Sequence, residues 1–286
     1  MPELPEVETI ARGVDERVRG DRIAEVWLGS HQEPFKTSPQ RQAEGLTGRV
    51  LLSVHRTGKH IVCELGRIAK QHSENQIDGA EPTPDAQWIV HLGMTGRLLV
   101  TTPDAPVAKH THARLRLESG REIRFVDPRR FGRLEFRELH ASAAFLGAGQ
   151  EPLTVDAASF AQLFRGRRLT IKAALLNQTL LTGVGNIYAD ESLFRAGIRP
   201  RRQSGRLTKV ELERLRTELV SVLRHAIQLG GSSVSDYVDA DGVRGFFQLE
   251  HCVYLRTGQP CLRCKTPIKR ILVAGRGTHY CPNCQR

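Results

Sequence analysis

Four cysteines in the last part of the chain restrict its fold more than any other feature. They form two Cys-x2-Cys pairs, Cys261 with Cys264 and Cys281 with Cys284, separated by 16 residues. Four thiolates at this spacing are typical of a tetrahedral zinc site, and a redox-active pair is the alternative. Because four thiolates fill the coordination sphere, such a zinc has no open position to activate water. We therefore predict one structural Zn²⁺, and we expect catalysis to lie elsewhere.

Composition indicates a globular protein with more than one domain. The chain has 286 residues, of which 40% are hydrophobic, enough to bury a sizeable core. No apolar run approaches the ~20 residues that a bilayer-spanning helix needs. The start of the chain lacks the basic and then apolar pattern of a secretory signal. We therefore expect a cytoplasmic protein without a membrane partner, in which Cys63 and Cys252 are buried thiols.

The positive charge is concentrated in two segments. The net charge of the chain is +11. Residues 165–216 hold 12 Lys and Arg against 4 Asp and Glu, and residues 261–286 hold 6 Lys and Arg and no acidic residue. Concentrated basic segments favour a polyanionic partner such as nucleic acid, and a solvated basic surface is the alternative.

The first half of the sequence predicts one helix followed by many short strands. From Pro5, apolar residues recur at helical spacing as far as Val18, which should leave residues 1–4 projecting from the helix start. Seven strand-like runs follow, and the last three lie at 113–118, 122–126 and 133–138. Ser119 and Gly120 form a hairpin turn between two of them. This pattern favours a β-sandwich or a barrel, interrupted by a polar loop over residues 71–86.

The second half changes to a helical pattern. Residues 169–178 and 186–197 predict short helices, and a longer one starts at Thr208 with Glu211 completing a capping box. The glycines of "LTGVGNIYADE" precede a helix start at Asn186, where free N–H groups could bind a phosphate. The Gly- and Ser-rich residues 230–247 are typical of a flexible loop, and the last 26 residues form a separate unit.

The start of the chain can become a reactive group. If Met1 is removed, Pro2 carries a free secondary amine beside Glu3. An α-amine has a pKa near 7.7, so about a sixth of it is neutral at pH 7, roughly several hundred times the neutral fraction of a lysine. A secondary amine that attacks an aldehydic or acetal carbon gives a cationic iminium directly, and Glu3 can carry the proton. The alternative is that Pro2 merely starts the chain.

Together these segments resemble the formamidopyrimidine-DNA glycosylase family, bacterial enzymes that repair oxidised purines. The matching motifs span nearly the whole chain: "PELPEVE", "TGKHIVCEL", "HLGMTGRL", "KHTH", "DPRRFG", "GVGNIYADESLF" and "GRGTHYCPNCQ". The resemblance implies an α+β fold with an N-terminal β-sandwich flanked by helices and a C-terminal helical domain with a helix–two-turns–helix module and a zinc finger. The expected domains are a catalytic sandwich at 1–138, the DNA-binding helices at 150–231, a lesion-capping loop region at 232–250 and the zinc finger at 251–286.

The resemblance also implies an activity. It is that of a bifunctional DNA glycosylase and AP lyase, which excises 8-oxoguanine and formamidopyrimidines from damaged double-stranded DNA and cleaves the strand by β,δ-elimination. Pro2 would be the Schiff-base nucleophile at C1′, and Glu3 the acid/base partner. Lys59 would donate a proton during β-elimination, and Arg276 would grip phosphate and assist δ-elimination. Such a protein would act as a monomer in the bacterial cytoplasm, associated with the nucleoid.

Further residues match DNA-contacting positions of the family: His91, His110, Arg129, Arg168, Lys172 and Asn186. Three would fill the void left by a flipped nucleotide: Met94, Arg129 and Phe131. Residues 71–86 are predicted to be an insertion. The lesion-capping segment cannot be matched residue by residue, so the resemblance implies no individual lesion contacts there.

Two alternative functions stay open at this point. One is the endonuclease VIII branch of the same superfamily, which prefers oxidised pyrimidines. Leu4 in place of a glycine, and Met94 in "HLGM", favour the purine branch. The other is a non-catalytic zinc-ribbon protein that binds DNA or RNA. It would explain the charge and the cysteines, but not a reactive start of the chain combined with Lys59 and "DPRRFG".

Overall fold

The computed structural model describes residues 1–67, 83–233 and 237–286. The described chain divides into two compact units. The first comprises residues 1–2, 6–146 and 237–244, and the second comprises residues 3–5, 147–233 and 245–286. Most of the insertion predicted at 71–86 lies outside the described residues.

The first unit consists mainly of strands. Its helices and strands are α1 (Leu4–Val18), β1 (Ile23–Leu28), α2 (Pro39–Leu46), β2 (Val50–Thr57), β3 (His60–Gly66), β4 (Ala86–His91), β5 (Arg97–Thr101), β6 (Thr111–Leu117), β7 (Glu122–Val126) and β8 (Arg133–Glu138). They form two four-stranded antiparallel sheets, in the orders β1-β6-β7-β5 and β2-β3-β4-β8. The predicted N-terminal sandwich is therefore confirmed.

One hydrophobic cluster holds the sandwich together. It contains side chains of both sheets, among them Phe125 and Trp88, and the stripe of α1 that runs from Val7 to Val18. The helical spacing of that stripe made α1 predictable, because a stripe of this period has to be buried against a core. The predicted hairpin joins β6 to β7, with Gly120 at φ 85°.

The second unit begins with helices. These are α3 (Ala157–Phe164), α4 (Ile171–Leu176), α5 (Asn186–Arg195) and α6 (Lys209–Gln228), and they are followed by the strands β9 (Lys269–Val273) and β10 (Arg276–Tyr280). The predicted capping box is present at the start of α6, where Thr208 and Glu211 cap each other. Gly197, which follows the C-cap residue Ala196 of α5, has φ 69°, as expected for a helix stop.

The predicted flexible loop at 230–247 is packed at two of its described positions. Tyr237 and Ala240 are buried in the hydrophobic cluster of the first unit, and the amide of Val100 donates to the carbonyl of Ala240 (3.1 Å). Residues 234–236 lie outside the described chain. In the described residues we find no helix with the length and hydropathy that a membrane crossing requires.

Candidate active site and zinc centre

The residues after Met1 are buried rather than projecting. Pro2 is buried in the first unit. In the second unit, Glu3 is 4% exposed, and its carboxylate accepts the amides of Ile187 (3.1 Å) and Tyr188 (3.4 Å) in the first turn of α5. Backbone N–H groups at a helix start stabilise an ionised carboxylate. The prediction that residues 1–4 project freely is therefore wrong, because the carboxylate of Glu3 caps another helix.

The glycines before α5 make room for this N-terminal segment. Gly183 has φ 85°, accepts the amide of Leu4 (3.0 Å), and would overlap the Leu4 side chain if it carried a Cβ. A Cβ on Gly185 would overlap the carboxylate of Glu3. The sequence prediction that these N–H groups bind a phosphate needs correction, because Glu3 occupies those of Ile187 and Tyr188.

Lys59 lies in the tight turn between β2 and β3. Thr57 pairs with His60, so Gly58 and Lys59 form a two-residue turn, and Gly58 takes the positive φ (60°) that such a turn requires. Lys59 is only 9% exposed. The turn thus holds a largely buried lysine at a fixed place in the first unit.

His91 ends β4 as a neutral hydrogen-bond donor. Its Nδ1 accepts the amide of Gly93 (3.1 Å), so the proton of the neutral ring is on Nε2. The pKa of His91 is lowered to about 4, mainly by burial and to a smaller extent by the nearby His60 and Lys59. If His91 contacts DNA, as its position in the family implies, it does so without a charge.

The three proposed void-filling residues lie on two loops of the first unit. Met94 is 41% exposed, Phe131 is 49% exposed, and Arg129 is exposed with its guanidinium carbon 4.8 Å from the centroid of the Phe131 ring. Phe131 is therefore not a core residue at the end of a strand.

A buried carboxylate ties these two loops together. Asp127 accepts the hydroxyl of Thr95 (2.6 Å) and the amides of Gly132 (2.7 Å) and Arg129 (3.3 Å). Its own amide donates to the carbonyl of His110 (3.0 Å), an exposed residue with φ 68°. The first of the two loops, residues 92–96, and the second, residues 127–132, are thus organised around one buried acidic side chain.

Arg276 is presented by the hairpin of the second unit. Strands β9 and β10 pair antiparallel, and the turn residues Ala274 and Gly275 both have positive φ (49° and 72°). Arg276 starts β10 directly after the turn and is exposed. Arg168 is exposed as well, in the connection between α3 and α4. Both arginines can reach a phosphate.

Lys172 is buried instead of facing solvent. Its ammonium lies 2.6 Å from Asp190 and donates to the hydroxyl of Thr278 (2.8 Å) and to the carbonyl of Gly277 (3.1 Å). An ammonium has three N–H groups, and all three are used. The prediction that Lys172 contacts DNA is therefore not supported. Asn186, at the start of α5, is partly exposed and donates to the same Gly277 carbonyl (3.0 Å).

The four predicted zinc ligands converge on one point. The sulfur atoms of Cys261, Cys264, Cys281 and Cys284 all lie within 4.8 Å of one another, with separations of 3.9 Å for Cys261 and Cys284 and 3.4 Å for Cys264 and Cys281. A tetrahedral zinc with bonds of about 2.3 Å requires sulfur–sulfur distances of about 3.8 Å. These residues fit a four-thiolate zinc, which would leave no ligand position for substrate.

Comparisons with known proteins agree across the whole chain. Family models match in order: "Formamidopyrimidine-DNA glycosylase N-terminal domain" over residues 1–134, "Formamidopyrimidine-DNA glycosylase H2TH domain" over 148–238, and "Zinc finger found in FPG and IleRS" over 258–286. A protein of Solibacter usitatus named Formamidopyrimidine-DNA glycosylase is 43% identical over 286 residues, covering all of both chains. The chain belongs to the formamidopyrimidine-DNA glycosylase family.

Two solved structures of a relative show the same fold. The Lactococcus lactis Fpg in complex with DNA containing an abasic site has a TM-score of 0.86 and 33% identity, with 99% of each chain covered. The same enzyme in complex with DNA containing N7-benzyl-Fapy-dG has a TM-score of 0.86 and 33% identity, with 100% of each chain covered. The predicted fold, enzyme class and single structural zinc are thus confirmed, and the non-catalytic zinc-ribbon alternative loses its support.

The two remaining thiols of this glycosylase are unreactive at neutral pH. Cys63 is fully buried in the sandwich, and burial raises the pKa of its thiol. Burial raises the pKa of Cys252 to about 11. Neither forms the reactive thiolate at neutral pH. The expectation of a buried thiol is confirmed for Cys63, whereas Cys252 is only partly buried.

Sequence reasoning missed the acidic side chains that hold the site in shape. Asp127 orders the loops of the first unit. In α5, Asp190 accepts the amide of His279 (2.8 Å), and Glu191 accepts the amides of Cys252, Val253 and Tyr254 (2.9 Å each). Each lies inside a motif already singled out, "DPRRFG" or "NIYADESLF". The signal was an acidic residue at a position where the hydrophobic spacing of a helix or strand predicts a buried side chain.

Proposed function

We propose that this glycosylase excises 8-oxoguanine and formamidopyrimidines from duplex DNA and then cleaves the strand by β,δ-elimination, with Pro2 as the nucleophile. The observation that carries the proposal is the placement of Glu3. Its carboxylate is held by two backbone amides of α5 and is joined to Pro2 by one peptide bond. The relatives support the substrate class, because their names and complexes concern formamidopyrimidine lesions and abasic DNA.

Excision starts from the amine that removal of Met1 exposes. The Pro2 nitrogen attacks C1′ of the damaged nucleotide, the bond from C1′ to the base breaks, and the departing base takes a proton from solvent. The sugar ring opens, and an iminium links Pro2 to C1′. Glu3 takes the proton that the Pro2 nitrogen loses and returns it to the ring oxygen. The protein thus stabilises charge at the place where it develops.

Strand cleavage then follows from the electron demand of the iminium. C2′ loses a proton and the bond from C3′ to its phosphate oxygen breaks, which is the β step. C4′ then loses a proton and the bond from C5′ to its phosphate oxygen breaks, which is the δ step. Water hydrolyses the iminium and restores the Pro2 amine. We assign the proton donor of the β step to Lys59 and phosphate binding in the δ step to Arg276, which is exposed at the end of its hairpin.

In this proposal, DNA is bound through contacts to its charged phosphates and through three side chains that fill the gap left by the extruded base. Arg168, Arg276 and Asn186 in the second unit, and His91 and His110 in the first, are the phosphate contacts that we propose. A base cannot react inside the helix, and extrusion costs a few kcal/mol. Met94, Arg129 and Phe131 would fill the gap, since a thioether adapts, a guanidinium can bond the orphaned base, and a flat ring can stack. Their exposure on two braced loops supports this role.

Trapping the covalent intermediate tests the proposal. Mass spectrometry should show that Met1 is absent from the active protein. Borohydride should then reduce the iminium to a stable amine, and peptide mapping should find the DNA on the N-terminal peptide. Trapping at an internal lysine such as Lys59 in protein with an intact Pro2 would refute the mechanism. Stronger trapping on oxidised pyrimidines than on oxidised purines would favour the endonuclease VIII alternative.

A further inference from the structure

The backbone around Arg276 is held by a chain of buried contacts that starts in α5. Asp190 in α5 lies 2.6 Å from the ammonium of Lys172 in α4. That ammonium donates to the hydroxyl of Thr278 (2.8 Å), and the same hydroxyl donates to the carbonyl of Arg276 (3.0 Å). Asp190, Lys172 and Thr278 are each fully buried. The hydroxyl of Thr278 therefore links a buried ion pair to the backbone of the arginine.

Two further bonds restrain the hairpin at the same place. The carbonyl of Gly277 accepts both Lys172 (3.1 Å) and Asn186 at the start of α5 (3.0 Å). The second carboxylate oxygen of Asp190 accepts the amide of His279 (2.8 Å). Three consecutive residues after Arg276 are thus bonded to α4 or α5. The helix that receives them also holds the Glu3 carboxylate at its first turn.

We infer that Lys172 and Asp190 are positioning residues for Arg276, acting through Thr278. The inference rests on the proposed role of Arg276 in the δ step. A buried ion pair seldom adds stability relative to apolar side chains of similar volume, so its use here is geometric. The guanidinium has to meet one phosphate, and a displacement of about 1 Å at a reacting group can cost roughly a hundredfold in rate.

The inference predicts a separation of the two elimination steps. Without the Thr278 hydroxyl, the Arg276 backbone loses its link to the ion pair while Pro2, Glu3 and Lys59 keep their contacts. The δ step should slow by about tenfold or more, and the β step should remain close to that of the wild type. The product of β-elimination alone should accumulate. A purely structural role would instead reduce the amount of active enzyme, and both steps would fall in proportion.

The matched pair Thr278→Val and Thr278→Ser makes the test. Valine keeps the shape of threonine and suits a strand, but it has no hydroxyl, whereas serine keeps the hydroxyl. Both proteins are given a preformed abasic site in single-turnover conditions, and the active fraction is counted by borohydride trapping. We expect Thr278→Val to accumulate β product and Thr278→Ser to give the products of the wild type. Bound zinc should stay at one per chain in both.

A second variant keeps the inference testable if Thr278→Val fails to fold. The double substitution Lys172→Met with Asp190→Leu removes both charges together, so no buried charge is left unpaired. It should show the same accumulation of β product. An unchanged ratio of β to δ product in either folded variant overturns the inference.

A wild type without any δ product would count against the proposed chemistry instead. Amide hydrogen exchange of residues 274–277 would then decide the inference. We expect faster exchange in Thr278→Val than in Thr278→Ser, and equal rates would overturn the positioning role.

Discussion

His91, a proposed DNA contact, is a partly buried ring that would not add to the electrostatic attraction. Its Nδ1 accepts the Gly93 amide, and burial keeps its pKa at about 4. At pH 7 the ring is neutral and offers one N–H from Nε2. Cationic side chains release counterions from DNA when they bind phosphates, and salt weakens binding for that reason. A neutral donor releases none, so it leaves the salt dependence of binding unchanged. Arg168, exposed and always charged, is the natural counterpart in the second unit.

We therefore expect His91→Gln and Arg168→Ala to weaken DNA binding in different ways. Arg168→Ala should reduce the slope of log K against log salt by about 0.9, the value for one phosphate contact. His91→Gln should lower the affinity at every salt concentration and leave the slope unchanged. Fluorescence anisotropy with lesion and undamaged duplexes over a salt series measures both. A slope that falls in His91→Gln would show that His91 is charged in the complex.

The lowered pKa of His91 also determines how this residue affects stability as the pH changes. Its pKa is lower in the folded chain than the 6.5 of an unfolded histidine, so the folded state binds fewer protons. Stability from this residue is fully present above about pH 6.5 and is lost as the pH falls from there towards 4. Urea unfolding at pH 7 and pH 5 should show a smaller loss in His91→Gln than in the wild type. An equal loss would remove His91 as a source of acid sensitivity.

The role of a single residue could be predicted from the sequence where the residue type alone determines that role. The four cysteines could act as a zinc site in any fold that brings them together, and they do. Lys172 is different, since whether a lysine faces DNA or an internal aspartate depends on packing that no local pattern records. The same holds for Glu3, whose partners at Ile187 and Tyr188 are more than 180 residues away in the chain.

At the scale of structural elements, the loops at 92–96 and 127–132 behave as one piece. Asp127 accepts hydrogen bonds from both, and a Cβ on Gly93 would overlap the backbone of Phe131 and Gly132. The loops therefore pack backbone to backbone. Phe131, half exposed at their end, is held in place without contributing to the core.

This arrangement predicts that Phe131→Ala folds normally and fails at extrusion. Because the ring is 49% exposed, its loss should shift the melting temperature by no more than a few degrees. Excision from a fully paired duplex should fall strongly, since nothing then fills the gap left by the base. Cleavage of a preformed abasic site should fall less. Calorimetry and single-turnover assays on both substrates test this. An early-melting variant, or equal losses on both substrates, would contradict it.

The elements found from the sequence are those with a strong hydrophobic period. Strand β7 alternates, and the stripe of α1 repeats as a helix does, so both were predicted. Helix α2 was missed because its eight residues are mostly polar and bury only Gln42, Gly45 and Leu46. Strand β5 was missed because Leu98 is its one fully buried residue, which leaves no alternation to detect. Short, half-exposed elements are fixed by their neighbours rather than by their own sequence.

For the whole molecule, the sandwich, the helices and the zinc ribbon each have their own hydrophobic cluster, so the loss of one should spare the others. The ribbon cluster combines Phe194 of α5 with Val253, Ile268 and two of the zinc ligands, Cys261 and Cys281. It is small, and small metal domains depend on their ion to fold. The sandwich cluster of the first unit contains none of the four ligands. Both tryptophans of the chain, Trp27 and Trp88, belong to the first unit and therefore report on it alone.

Removal of zinc should thus abolish DNA binding while the sandwich remains folded. Cys281→Ser, or chelation of the metal, should disorder β9 and β10 and release Arg276, because Cys281 directly follows β10 and is itself a ligand. Lesion DNA should no longer bind at physiological salt. Melting followed by tryptophan fluorescence should be nearly unchanged, since Trp88 is buried in the sandwich. Cys252→Ser is the matched control, as it removes a thiol of the same unit that does not face the metal, and it should keep both zinc and DNA binding. If the metal-free protein binds lesion DNA normally, the zinc does not hold the arginine that we assign to the phosphate.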